Sequence, residues 1–334
     1  MNYILKKLAY YIRGFLYLIF YHIPYKIFLK KDALESEIVS IRVDDYSYKM
    51  RLQTAEGGLS EDLHICAIRE VPNVHYFADF VTSHAKDLQT YIDIGSNIGY
   101  YLFLSQQILR KVNTQAKIFA VEPVKSTFSR MLENMKLNNV NDVVPINIGI
   151  GDANGMAKML VMHQKNLSKI LDENPILNGD LEKVEQVKLN SLSSLFTEYS
   201  IKPENYFIRC DIEGYEYNLI VGNKDLLRRS TNAHIVMEFH PFYLLAIKSV
   251  ELLNTLKSVG FTLHQVISCE PLYFVKTPVF VRAFLKKLFL YQYNGDVLGK
   301  LERFKTIDDL IAEIQNTSSP LYHYPNLHFY FSKK

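Results

Sequence analysis

The chain has no tryptophan, and its three cysteines, Cys66, Cys210 and Cys269, are odd in number, widely spaced and form no C-x-x-C pair. That argues against a disulfide framework and against a cysteine-built zinc site, and it fits a reducing compartment such as the cytoplasm. No stretch reaches the roughly 20 apolar residues that a membrane-spanning helix needs. An excess of one charge is missing too. Lys and Arg number 38 against 35 Asp and Glu, a formal +3 over 334 residues, which gives no electrostatic case for nucleic acid as the main partner. What the chain does have is 48% hydrophobic residues, enough for a substantial core.

Residues 1–31 depart from the even balance of charge. They carry Lys6, Lys7, Arg13, Lys26, Lys30 and Lys31 with no acid, interleaved with Tyr, Phe, Leu and Ile. The apolar stretch from Gly14 to Tyr21 is too short to span a bilayer, and no small-residue cleavage site follows it, which argues against a signal peptide. Two readings stay open: a basic helix lying in the membrane interface, or a helix packed on the domain or on a partner copy. Residues 32–69 read as a hairpin and lead-in, with β-prone segments Glu37 to Val43 and Tyr46 to Thr54 joined at Asp44-Asp45.

From about residue 70 the pattern alternates between helix and strand. A helix from about Asn73 to Lys86 leads into Thr90-Tyr91-Ile92-Asp93-Ile94-Gly95-Ser96-Asn97-Ile98-Gly99-Tyr100, which reads as strand, glycine loop and helix. The third glycine of the dinucleotide fingerprint is absent, and a carboxylate stands at the strand end, so an anionic pyrophosphate fits less well than a cationic, amino-acid-bearing ligand. S-adenosylmethionine is such a ligand. Lys117 to Glu122 is a second strand ending in an acid, the place where doubly wound sheets hold ribose hydroxyls. A helix from Thr127 to Asn138 follows, then a third strand from Val143 to Ile150, closed by Gly151-Asp152-Ala153-Asn154-Gly155. Asp152 is placed to accept from an adenine amino group or simply to stabilise the turn. Residues 156–190 read as two β-prone pieces around a polar stretch, Asn166 to Glu185, expected to form a mobile or irregular excursion near the site.

Tyr206 to Asp211 reads as a fourth strand running into Ile212-Glu213-Gly214-Tyr215-Glu216, and Ala233 to Phe239 as a fifth, ending Glu238-Phe239-His240. Ligands bind outside the carboxyl ends of such strands, so Asp93, Glu122, Asp211, Glu213, Glu238 and His240 are expected to converge on one crevice. Moving a methyl group to a hydroxyl needs an aligned oxygen and a group to take its proton. By ordinary pKa His240 is the best-suited base; Asp211 or Glu213 would need burial or crowding to serve. A divalent metal held by this set ranks second, because the spacing is not a tight ligand motif. Cys210, inside a buried strand, reads as a small hydrophobe.

Taken together, Asp93-x-Gly95-x-Asn97-x-Gly99, Val121-Glu122-Pro123, Asn147 to Asp152, Arg209-Cys210-Asp211-Ile212-Glu213-Gly214-Tyr215-Glu216 and Glu238-Phe239-His240 resemble the FkbM family of S-adenosylmethionine-dependent methyltransferases. The resemblance covers roughly residues 70 to 275. It implies a class I fold, a seven-stranded, mostly parallel sheet with helices on both faces, and O-methylation of a hydroxyl on a sugar, glycolipid or polyketide. It further implies that Asp93, Gly95, Asn97 and Gly99 line the methionine end of the cofactor, with Glu122 on the ribose and Asp152 near the adenine. Arg209 departs from the lysine usual there and is not a neutral replacement. The tail departs as well. After a sixth strand, Phe261 to Ile267, an insertion near residues 276–325 holds a basic aromatic helix, Arg282 to Tyr293, and a helical piece, Ile307 to Gln315, before a closing strand at Asn326 to Phe331, with Pro271 to Val275 as the alternative seventh strand. Two other classes fit less well. A nucleotide-dependent oxidoreductase lacks its glycine pattern here, and a non-catalytic scaffold or partner of a glycan assembly enzyme has no need of the strand-end acids and His240.

Overall fold

The computed structural model describes residues 37–53, 58–112, 115–163, 167–171, 181–240, 243–269, 299–316 and 327–334, with isolated positions between 4 and 19 and at 281, 284 and 321. Most of the basic N-terminal segment, the helix expected at Arg282 to Tyr293 and the alternative strand at Pro271 to Val275 therefore lie outside the described residues.

A hairpin comes first, β1 (Glu37–Val43) against β2 (Tyr46–Leu52), turning at Asp44 with a left-handed φ of 50°. The free edge of β2 is covered by side-chain amides rather than by another strand. Asn138 exchanges two hydrogen bonds with the backbone of Lys49, at 2.8 and 2.7 Å, and Asn134 accepts from the Arg51 amide at 2.7 Å. These amides stand on and just past the helix Lys125–Leu137, so the hairpin is tied to the main domain by groups that mimic a strand partner.

The main sheet collects β3 (Thr90–Ile94), β4 (Lys117–Val121), β5 (Val143–Ile146), β10 (Glu204–Cys210), β11 (Thr231–Phe239), β12 (Thr262–Ser268) and β14 (Leu327–Lys333), with the two-residue β13 (Gly299–Lys300) at one edge. Its order is β13-β12-β14-β11-β10-β3-β4-β5. Strands β5, β4, β3, β10 and β11 run parallel, and β14 enters antiparallel between β11 and β12. The sheet has eight strands where seven were expected, the extra one being the short β13 at the edge, and the closing strand forms as the sequence suggests. All five residues of β3 are buried, which suits a central strand covered on both faces. One apolar layer holds Ile92, Ile208 and Ile235; the other holds Tyr91, Phe207 and Val236 beneath the helices Val71–His84 and Tyr100–Val112. The alternation of side chains along each strand sends successive residues to opposite layers. The sheet order reverses between β3 and β10, so the crevice at their carboxyl ends is the switch point where a ligand can enter.

Two expectations need correcting. The third strand does not run from Val143 to Ile150. It breaks at Asn147, whose Nδ2 donates to the carbonyls of Glu122 at 2.8 Å and Pro123 at 3.0 Å, and the chain leaves β4 to form β6 (Gly149–Gly151) in a separate sheet. The two β-prone pieces after Asp152 form as expected, while of the polar stretch between them, expected to be irregular, Lys169–Ile170 and the residues from Leu181 on are strand and residues 172–180 lie outside the described residues. β7 (Gly155–Met162) pairs with β9 (Leu181–Ser191) in a long antiparallel ladder, with β8 (Lys169–Ile170) on its outer side. Met159, Val161 and Val187 point to one face and close a small core on Val124. In the C-terminal insertion the helix Ile307–Gln315 forms as expected, started by a capping box between Thr306 and Asp309.

Candidate active site

The glycine loop leaves β3 by passing closer to β10 than any side chain permits. Gly95 has φ +78°, and a Cβ built there would overlap the carbonyl oxygen of Asp211. The amides of Gly95 and Ser96 both donate to the carbonyl of Val121, at 2.9 and 3.0 Å, which fixes the loop to the end of β4. Asn97 follows at φ 50°, its side chain accepting from the Ile98 amide at 2.8 Å, a local bond that favours asparagine in this left-handed position. Glu122 then joins the two strand ends: Oε2 accepts from the Asn97 amide at 3.0 Å and Oε1 from the Val124 amide at 2.9 Å. Burial outweighs these donors and pushes its pKa up to about 7.

Gly95, Asn97, Glu122, Ile148, Ile150 and Tyr215 help to wall a pocket of about 580 Å³, counting the space open to solvent, and Asp211 and Glu213 also line it. Met159, Ser168 and Ile170 add a side from the second sheet, so the excursion after Asp152 does reach the site. Three of the residues expected to touch a cofactor stand off this wall. Asp93 is fully buried beneath the loop. Gly99 serves the helix start instead, since at φ +103° a Cβ would strike the ring of Phe103. Asp152 is exposed and its Cβ packs where Gly222 leaves room; the wall beside it is the apolar Ile148 and Ile150.

Asp93 and Asp211 are held by one guanidinium. Arg209 Nη2 donates to Asp211 Oδ2 at 2.7 Å, while Nη1 donates to the Gly95 carbonyl at 3.1 Å and lies 3.4 Å from Asp93 Oδ1. The guanidinium rests on the Tyr101 ring, 4.6 Å from its centre. A lysine ammonium cannot make this forked set, which accounts for arginine at this position. Burial raises Asp93 to about 6 despite Arg209, because the contact is long and Oδ2 has no hydrogen-bond partner among the described residues. Asp211 goes the other way: burial opposes ionisation, but Arg209 and His240 outweigh it and hold the carboxyl below its usual range.

His240 sits among three carboxylates. Its Nδ1 is 2.7 Å from Glu216 Oε1, and its Nε2 lies 3.5 Å from Glu213 and 3.8 Å from Glu238. Burial favours the neutral ring, yet Glu213 and Glu216 outweigh it and lift the pKa well above 6.5. That direction favours the protonated ring and counts against the expected role of His240 as the base. Glu213 is the group poised to exchange a proton, raised to about 7 by burial, with His240 opposing and Asp211 and Glu216 adding to the rise. Its backbone is left-handed at φ 49°, followed by Gly214 at φ +94°, a turn packed so tightly that a Cβ on Gly214 would come within 2.6 Å of Tyr243 Cβ. Such strain on a non-glycine residue is stored where a site needs a side chain aimed.

Several participants carry no sequence signal. Arg69 and Glu70 precede the helix Val71–His84, and Glu70 Oε2 accepts from Tyr101 at 2.7 Å and lies 3.2 Å from His328 Nε2. With Ser96, Asn97, Arg209 and Asp211 they wall a second cavity of about 330 Å³ that meets the first at Asn97 and Asp211. Glu216 is visible in the sequence only as the last residue of the D-x-E-G-x-E element. Pro72 just inside a helix is the one hint near Arg69. Among the described residues two sets bring donor atoms within 4.8 Å of one another, Asp211, Glu213 and His240, and Glu70, Glu238 and His328. Glu216 keeps His240 protonated and Arg69 lies 3.1 Å from Glu70, so each set already holds a positive charge of its own.

Residues 93–285, more than half of the chain, match the methyltransferase FkbM domain. The chain is 22% identical over 218 residues to the hexuronic acid methyltransferase AglP of Haloferax volcanii, covering 64% of this chain and 79% of that one. It is 29% identical over 148 residues to Methyltransferase 1 of Beauveria bassiana, covering 40% of this chain and 58% of that protein. Among solved structures, the plantazolicin methyltransferase BamL, in complex with a triazolic desmethylPZN analogue and SAH, aligns over 82% of this chain and 88% of its own at 10% identity and a TM-score of 0.37. With its site at the β3/β10 switch point and its motifs in register with the matched domain, the chain belongs to the FkbM methyltransferase family.

Proposed function

We propose that this methyltransferase uses S-adenosylmethionine to methylate a hydroxyl of a sugar in a glycan, glycolipid or related metabolite, with Glu213 taking the proton. One observation carries the reading: the glycine loop, Glu122, Asp211 and Glu213 line one pocket, with His240 Nε2 3.5 Å from Glu213. Glu122 is disposed to receive ribose hydroxyls, Ile148 and Ile150 to flank an adenine, and the loop at Gly95 and Asn97 to hold the methionine end. The cofactor, when bound, supplies a methyl group on a sulfonium.

With the cofactor bound, its sulfonium would give the methyl to the acceptor oxygen and leave as the thioether, and Glu213 would take the hydroxyl proton. Asp211, whose carboxyl Arg209 and His240 hold below its usual range, would set a negative charge toward the sulfonium of a bound cofactor. The sugar class is supported by AglP, whose name gives a hexuronic acid as its substrate. The test is transfer of labelled methyl from S-adenosylmethionine to a panel of neutral and acidic glycosides by the wild type and Glu213→Gln. Labelled ether products made by the wild type and not by the variant support the reading. Equal products from both, or methyl esters in place of ethers, contradict it.

A further inference from the structure

The N-terminal segment presents a feature that methyl transfer does not use. Positions 4, 5, 8, 11, 12, 15 and 16 are helical. At about 100° per residue, positions 4, 8, 11 and 15 fall on one stripe, with 19 a turn further on. The side chains there are apolar and open to solvent: Ile4 is 71% exposed, Leu8 52%, Tyr11 59%, Phe15 61% and Ile19 39%. Leu16, on the adjoining side, is partly buried and packs against the large core that also contains Leu252 and Phe329. Leu16 thus rests against the domain while Ile4, Leu8, Tyr11, Phe15 and Ile19 face outward, which leaves costly apolar area in water unless something covers it.

The charge pattern of the same segment says what fits. Residues 1–31 hold six Lys and Arg and no Asp or Glu, while the rest of the chain is close to neutral. A second copy of this chain would bring the same six cations against them, whereas an anionic lipid surface offers both hydrocarbon for the stripe and negative charge for the lysines. Among the described residues no helix is long and apolar enough to cross a membrane.

We propose that the outward stripe of Ile4, Leu8, Tyr11, Phe15 and Ile19 holds the enzyme on an anionic membrane surface. The proposal does not depend on the cofactor or the acceptor. It is tested by co-sedimenting the full chain with vesicles of phosphatidylcholine alone and of phosphatidylcholine with phosphatidylglycerol, at low and high salt, beside Leu8→Glu/Phe15→Glu and Lys6→Glu/Lys7→Glu. Far-ultraviolet circular dichroism and the thermal midpoint report whether the variants fold. Expected are binding to the anionic vesicles, weakening with salt, and a loss of about tenfold or more in each folded double variant. Absence of binding by the wild type, equal binding to neutral vesicles, or variants that bind as well as the wild type would each overturn it. So would light scattering that shows a dimer lost in Leu8→Glu/Phe15→Glu without change in vesicle affinity, which would assign the stripe to a second copy.

Discussion

The 2.7 Å contact between His240 Nδ1 and Glu216 Oε1 decides the charge of the site, because Glu216 is fully buried and sets its carboxylate directly against the ring. With Glu213 it lifts the pKa of the ring, which favours a positive charge facing Glu213. Glu216 acts through His240 and is a positioning residue. Replacing Glu216 with Gln removes the buried partner, so the His240 pKa is expected to fall toward 6.5 and turnover to drop about tenfold or more, with cofactor affinity little changed. Proton resonances of His240 followed through a pH titration check this. An unchanged titration midpoint would mean that Glu216 only packs.

Glu213, raised to about 7, takes a proton only when ionised. Activity should therefore climb from pH 6 to pH 8 with a midpoint near that value, since the carboxylate form gains population as pH rises. Glu213→Gln should lose about 10²- to 10⁴-fold in kcat, with KM for the cofactor nearly unchanged, and its residual rate should lack the climb. Profiles of kcat against pH for both proteins are the measurement.

Gly95 and Gly155 make a contrast in stability. A methyl group at Gly95 meets the Asp211 carbonyl and needs a left-handed backbone, whereas one at Gly155 meets nothing within 4 Å. Gly95→Ala should cost about 2 kcal/mol or more, and Gly155→Ala should stay within about 1 kcal/mol of the wild type. Urea unfolding of both variants gives the answer directly.

Acid should weaken the fold at the far end of the sheet. His234 is held down to about 3, chiefly by burial, with His84 and His264 adding to it; Phe80, Phe207 and Ser332 complete its surroundings. Its folded pKa lies below the unfolded value of 6.5, so the unfolded chain binds the extra proton and stability is lost as pH falls from 6.5 toward 3. His234→Asn should lose less stability than the wild type between pH 7.5 and 5, as chemical unfolding at the two values will reveal.

Much of the architecture is legible in the amino-acid order, because β3, β4, β10 and β11 are short apolar runs each ending in an acid or a turn, and that signal is local. The break in the third strand is hidden, since Ile148 and Ile150 continue the apolar alternation and only the side-chain bonds of Asn147 end the ladder. Asp152 reads as a site residue because a turn aspartate and a ligand-binding one are the same letter. The role of His240 is not legible at all: it depends on Glu213, Glu216 and Glu238 surrounding one ring, and on burial, neither of which spacing reveals. Glu70 and His328 come from opposite ends of the domain and meet only through the insertion of β14.

The most direct test is a calorimetric titration of the purified chain with S-adenosylmethionine and, separately, with NAD, repeated on Glu122→Ala and Asp152→Ala. The account predicts micromolar binding of S-adenosylmethionine but not of NAD, lost in Glu122→Ala and kept in Asp152→Ala, because Glu122 lines the pocket and Asp152 does not. No binding to the wild type, or binding that survives Glu122→Ala and fails in Asp152→Ala, would contradict it.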